Sequence, residues 1–132
     1  MTYEELIEPI VVAIERESGF ERETILAYLA GWEAVPAMYE DQHVATAILR
    51  GTEIHFAFVD GWRPQSCQRR RIKEFLAPLF DRRGFLTTRI LHSNQDQKKF
   101  VQRVGFKPTW QDGHFQYYLM GQLPFERKSN AL

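Results

Sequence analysis

A chain of 132 residues, 44% hydrophobic and 26% charged, has the size and composition of one ordinary globular domain and can bury roughly two-thirds of the surface its unfolded form exposes. With 17 basic and 17 acidic residues its formal charge is zero, so no global field draws it to nucleic acid or to a membrane. A single cysteine, Cys67, excludes an internal disulfide, no apolar run approaches the ~20 residues of a membrane span, and the acidic N-terminal stretch does not read as a signal region.

Thr2 followed by Glu5 has the spacing of a capping box, and Leu6, Ile7, Ile10, Val11 and Ile14 form one apolar face, which predicts an amphipathic helix to about Ser18. Pro9 opposes it, and the β-branched run Ile10-Val11-Val12 leaves a first strand as the alternative. Gly19 ends the element. Glu21 to about Trp32 reads as a second helix with Ile25, Leu26 and Leu29 inward. From Val35 the period drops to two, and Val35–Tyr39, His43–Arg50 and Thr52–Val59 are expected as an antiparallel meander joined at Glu40-Asp41-Gln42 and Arg50-Gly51. In its third strand Ile54, Phe56 and Phe58 share one face, while Glu53, His55, Ala57 and Val59 share the other.

Asp60 to Gln68 carries turn signals and leads into a helix from about Cys67 to Arg83, with Ile72, Phe75, Leu76, Leu79 and Phe80 on one face, a kink expected at Pro78 and a stop at Gly84. Phe85 to His92 is a buried strand. It turns directly into a helix carrying Phe100, Val101 and Val104, which Ser93 or Asn94 caps and Gly105 ends. A strand that passes so abruptly into a helix leaves the first helical amides facing a crevice able to hold a ligand. Lys107–Trp110 and His114–Met120 close the chain as a hairpin around Gln111-Asp112-Gly113, with Phe115, Tyr117 and Leu119 on one side. Residues 1–121 are thus expected as one domain, and 122–132 as a flexible tail.

Charge is unevenly spread. Residues 1–62 hold Arg16, Arg22 and Arg50 against twelve Asp and Glu, a balance of −9, whereas residues 63–103 hold eleven Lys and Arg against Glu74, Asp81 and Asp96, a balance of +8. The basic part suits a polyphosphate ligand or nucleic-acid phosphates, and equally suits solvated helix faces.

Counting from Asn94, the residues Gln97, Phe100, Val101, Gly105 and Phe106 fall on the spacing Asn-x2-Ala-x2-Phe/Leu-Tyr-x3-Gly-Phe, which resembles the acyl-CoA-binding segment of GCN5-related N-acetyltransferases, the GNAT family. Gln97 stands where the family has Ala. Val101 stands where it has the Tyr that protonates the departing CoA thiolate. The element order also matches from the family's second strand onward, over residues 35–120. The resemblance implies an α+β, GNAT-like fold, a mixed central sheet with an antiparallel meander flanked by helices, and acetyl-CoA as the cofactor.

In the family an Arg/Gln-x2-Gly-x-Gly/Ala loop presents backbone amides to the CoA pyrophosphate, and the matching loop here is Arg63-Pro64-Gln65-Ser66-Cys67-Gln68. It keeps the leading Arg and has Ser66 and Gln68 in the glycine positions, with Arg69, Arg70 and Arg71 behind. Cations at a helix N-terminus oppose its dipole by about 0.3–1 kcal/mol each, which argues for an anion nearby. The resemblance therefore assigns weak acetyl-CoA binding to Arg63, Ser66, Cys67, Gln68, Arg69 and Asn94. Glu53 and His55 lie on the strand where the family often places its general base, and a carboxylate beside an imidazole can serve in that role; a polar sheet face is the structural alternative. Cys67 beside arginines has a setting that activates a thiol, but no His and Asp spacing suggests a triad. His43, His55, His92 and His114 show no ligand spacing, so no metal is expected.

Residues 62–120 are also similar to small GNAT-like proteins of tailed bacteriophages, of the internal virion or head-assembly kind. The similarity lies in Trp62-Arg63 before a very basic helix, Asn94 with an apolar residue in the Tyr position, and the closing Asp112-Gly113-His114-Phe115-Gln116. Two functions follow. Val101 and the glycine-free loop favour a non-catalytic assembly or binding role with phage structural proteins as partners, while Glu53 and His55 support an acyl-CoA-dependent N-acyltransferase acting on an amine. Either protein would reside in the cytoplasm or the virion.

Overall fold

Thr2 starts the first helix as its spacing with Glu5 requires. In the computed structural model, Thr2 Oγ1 accepts from the Glu5 amide at 3.1 Å and Glu5 Oε1 accepts from the Thr2 amide at 2.9 Å. The structure describes residues 1–62 and 69–121, and the chain divides into two units, Met1–Arg63 and Pro64–Leu132. The loop residues Arg63, Ser66, Cys67 and Gln68, and the tail 122–132, lie outside the described residues.

In the first unit, α1 (Tyr3–Ser18) runs through Pro9 and ends where Gly19 adopts φ +75° and donates to the Glu15 carbonyl. Pro9 withholds one amide, yet Ile7, Pro9, Ile10 and Val11 are all buried, and that burial together with the cap outweighs the lost hydrogen bond. α2 (Arg22–Leu29) buries Ile25 and Leu29. It stops three residues short of the expected Trp32, because Gly31 takes φ +90° and turns the chain out of the helix. Trp32 is thereby released into the core with Ile7, Ile10, Val11, Ile25, Leu29, Ile48 and Ala57, and the Tyr3 hydroxyl ties its carbonyl at 3.1 Å.

The meander follows as β1 (Glu33–Tyr39), β2 (Gln42–Arg50) and β3 (Glu53–Phe58), all antiparallel. Glu40 and Asp41 both take positive φ, the condition for a two-residue turn that matches strand twist. Across β2 and β3, Ile48 faces His55 and Thr46 faces Ala57 on the side that meets α1 and α2. Ala45, Ala47 and Leu49 face Phe58, Phe56 and Ile54 on the other side.

In the second unit, α3 (Arg69–Arg83) continues unbroken through Pro78, buries Ile72, Leu76 and Leu79, and ends as Gly84 donates to the Phe80 carbonyl. β4 (Leu86–Leu91), α4 (Gln95–Val104), β5 (Lys107–Gln111) and β6 (Phe115–Met120) follow, and β6 pairs antiparallel with both β4 and β5. The inward row is Leu86, Thr88 and Ile90 of β4 with Tyr118 and Met120 of β6. Phe115, Tyr117 and Leu119 share a side, as expected, but it is the more exposed one. Asp112 builds the hairpin turn by accepting from the His114 and Phe115 amides at 2.9 and 2.8 Å, and these bonds hold its carboxyl below the usual range.

Candidate functional site

Residues two apart on a strand share a face, and Glu53 and His55 use that geometry to meet. Glu53 Oε2 lies 2.6 Å from His55 Nε2, with the two side chains 25% and 29% exposed. The two side chains form a partly buried pair on this sheet face. A neutral imidazole with its proton on Nε2 can donate it to this carboxylate and keep a lone pair on Nδ1.

Trp32 supports this pair from the start of the meander. Its ring lies 5.7 Å from the His55 ring and 6.2 Å from that of Tyr28, while the Arg50 guanidinium carbon stands 4.6 Å from its centroid. Arg50 is also the cross-strand partner of Glu53, set opposite it by the tight turn at Gly51. Trp32 is 3% exposed, and its Nε1 is a buried side-chain donor with no hydrogen-bond partner among the described residues. Sequence reasoning missed Trp32 and Arg50. Only the strand register, with Arg50 opposite Glu53 across a short turn, could have signalled the second.

Of the residues that the resemblance assigns to the cofactor, Arg69 and Asn94 lie among the described residues of the second unit. Asn94, not Ser93, is the helix cap: its Oδ1 accepts from the Gln97 amide at 3.1 Å. Val101, in the position of the family's acid, is buried at 7% exposure and offers no proton. Arg69 opens α3, whose first turn holds no acidic residue, and Arg70 pairs with Glu74 at 3.6 Å on the exposed surface. In charge this end of α3 suits a polyphosphate. Trp62, singled out by the second resemblance, has a packing role, with its ring 5.3 Å from Phe58 and 6.4 Å from Tyr39. Among the described residues no group of three or more His, Cys, Asp or Glu could hold a metal ion, and no helix is long and apolar enough to cross a membrane.

No family model and no curated protein sequence matches the chain. Solved structures do. The Campylobacter jejuni N-acetyltransferase PseH in complex with acetyl coenzyme A is similar at TM-score 0.63 and 15% identity, over 92% of this chain and 93% of that one. A ribosomal-protein-alanine N-acetyltransferase from Brucella melitensis is similar at TM-score 0.60 and 16% identity, over 87% and 91% of the two chains. An acetyltransferase from Bacillus subtilis in complex with CoA reaches TM-score 0.61 at 11% identity, over 93% and 95%. The chain thus has the α+β fold of GNAT acetyltransferases, a mixed sheet flanked by helices.

Proposed function

We propose that the protein is an acyl-CoA-dependent N-acyltransferase in which Glu53 and His55 remove the proton of an acceptor amine. The observation that carries this reading is the 2.6 Å contact between the two side chains, half-covered on a strand of an acetyltransferase fold. An alkyl ammonium near pKa ~10 is not a nucleophile at neutral pH, so a base is the protein group this chemistry needs most. The resemblance assigns the cofactor to Arg63, Ser66, Cys67, Gln68, Arg69 and Asn94, of which Asn94 caps α4. Bound acyl-CoA supplies an activated thioester carbonyl. With acyl-CoA bound, the His55–Glu53 pair would take the proton that frees the amine lone pair, and the second amine proton would reach the leaving thiolate through water, because Val101, where the family pattern has Tyr, has none to give.

A second reading, a non-catalytic assembly or binding protein of the phage type, is favoured by one observation, the buried Val101. Calorimetry with acetyl-CoA, followed by CoA release with a panel of amines, separates the two. Ser66 and Gln68 stand in sequence where the family pattern has its glycines, so binding is expected to be weaker than low micromolar. E53Q and H55A should each lower turnover by about 10²-fold or more. Unchanged turnover in both variants removes the pair from the reaction, and a wild-type protein that releases no CoA with any amine leaves the second reading standing.

A further inference from the structure

We infer that Arg50 selects the acceptor, and that the preferred substrate is an amine carrying a carboxylate or similar compact anion within a few ångströms of its nitrogen. This rests on the transferase reading and adds the substrate class to it. The guanidinium carbon lies over the Trp32 ring, 4.6 Å from its centroid, and a guanidinium so placed keeps N–H donors for an anion. Arg50 is exposed and forms no ion pair among the described residues. Its cross-strand neighbour Glu53 turns an oxygen to His55.

Distance then limits the ligand. With Trp32 common to both contacts, the guanidinium carbon and the imidazole centroid lie within about 10 Å of each other. A hydrogen bond of about 3 Å at each end leaves room for a short spacer between amine and anion, as in an α-amino acid or the terminus of a small peptide. A polycationic acceptor meets a fixed positive charge there, and an amine without an anion leaves Arg50 unused. An arginine merely packed over a tryptophan would discriminate neither.

The test uses the full chain, acetyl-CoA and matched acceptors: L-tyrosine with tyramine, L-phenylalanine with phenethylamine, and L-lysine with cadaverine, read as kcat/KM for CoA release. The wild type should favour the carboxylate member of a pair by about tenfold to a hundredfold, the range of one hydrogen bond to a charged group. In R50A that preference should fall to about unity, chiefly through KM, and R50K should restore part of it. Added salt should narrow the wild-type preference. Thermal melts of both variants confirm that they fold. Equal use of both members by the wild type, or a preference that survives in R50A, overturns the inference and leaves the transferase reading intact. Absence of turnover with every acceptor overturns both.

Discussion

Val101→Tyr restores a phenol at a position where the fold has buried a smaller apolar side chain. Val101 is 7% exposed, and its carbonyl accepts from the Gly105 and Phe106 amides at 3.2 and 2.9 Å, so the backbone there is held by the end of its own helix. A larger ring must displace neighbours, and overpacking of this kind costs about 1–3 kcal/mol. Against a total stability of roughly 5–15 kcal/mol the variant should stay folded, with its melting temperature lowered by about 3–12 °C. A phenol of pKa ~10 can donate to a departing thiolate, and a positioned acid contributes at most about 10²–10⁴-fold. Because the ring must also find its place, a gain of about tenfold in CoA release is expected. The assay compares wild type and variant with acetyl-CoA and the same amines, at a temperature where melts show both folded. Brisk wild-type turnover that tyrosine does not improve would refute the view that Val101 limits the reaction.

Two further outcomes concern stability. W32F removes a buried N–H that has no partner among the described residues, so the loss of packing should be largely offset and the net change should be about 1 kcal/mol or less in denaturant melts; a loss of about 3 kcal/mol or more would show that the indole N–H is satisfied. The Glu5 carboxyl is held below its ordinary value by its bond to the Thr2 backbone, and Asp112 by the Phe115 and then the His114 amides; a depressed folded pKa contributes stability above the unfolded value, so urea midpoints should hold steady from neutral pH to about pH 5 and fall below about pH 4. E5Q should flatten part of that fall, and midpoints that stay constant to about pH 2 would contradict it.

The elements most legible in the sequence were those with chemically marked ends. Thr2 and Glu5 predicted the reciprocal cap of α1, and Asn94 and Gly105 bracketed α4 because one supplies a side-chain acceptor and the other tolerates positive φ. Burial was less legible. In β6 both parities include aromatic or apolar residues, so alternation placed Phe115, Tyr117 and Leu119 on one side without showing that Tyr118 and Met120 face the core. The extent of α2 was overread for a related reason: Leu29 and Trp32 fit a helical period, and the core accepts Trp32 after the helix has ended at Gly31.

The candidate site divides in the same way. Glu53 and His55 were readable because a two-residue spacing on a strand needs no knowledge of tertiary structure, whereas the contacts of Trp32 with Arg50 and His55 depend on α2 ending early and on the register across Gly51. That difference bears on which function the chain retains. A thiolate whose conjugate acid has pKa ~8.5 departs near neutral pH with little help, while an ammonium of pKa ~10 must lose its proton before it can attack. On the proposed reaction, Val101 leaves out the group that lowers the rate without abolishing it, and Glu53 beside His55 offers the base. The proposed reaction therefore predicts slow but measurable CoA release in the wild type, and none with any amine would refute it.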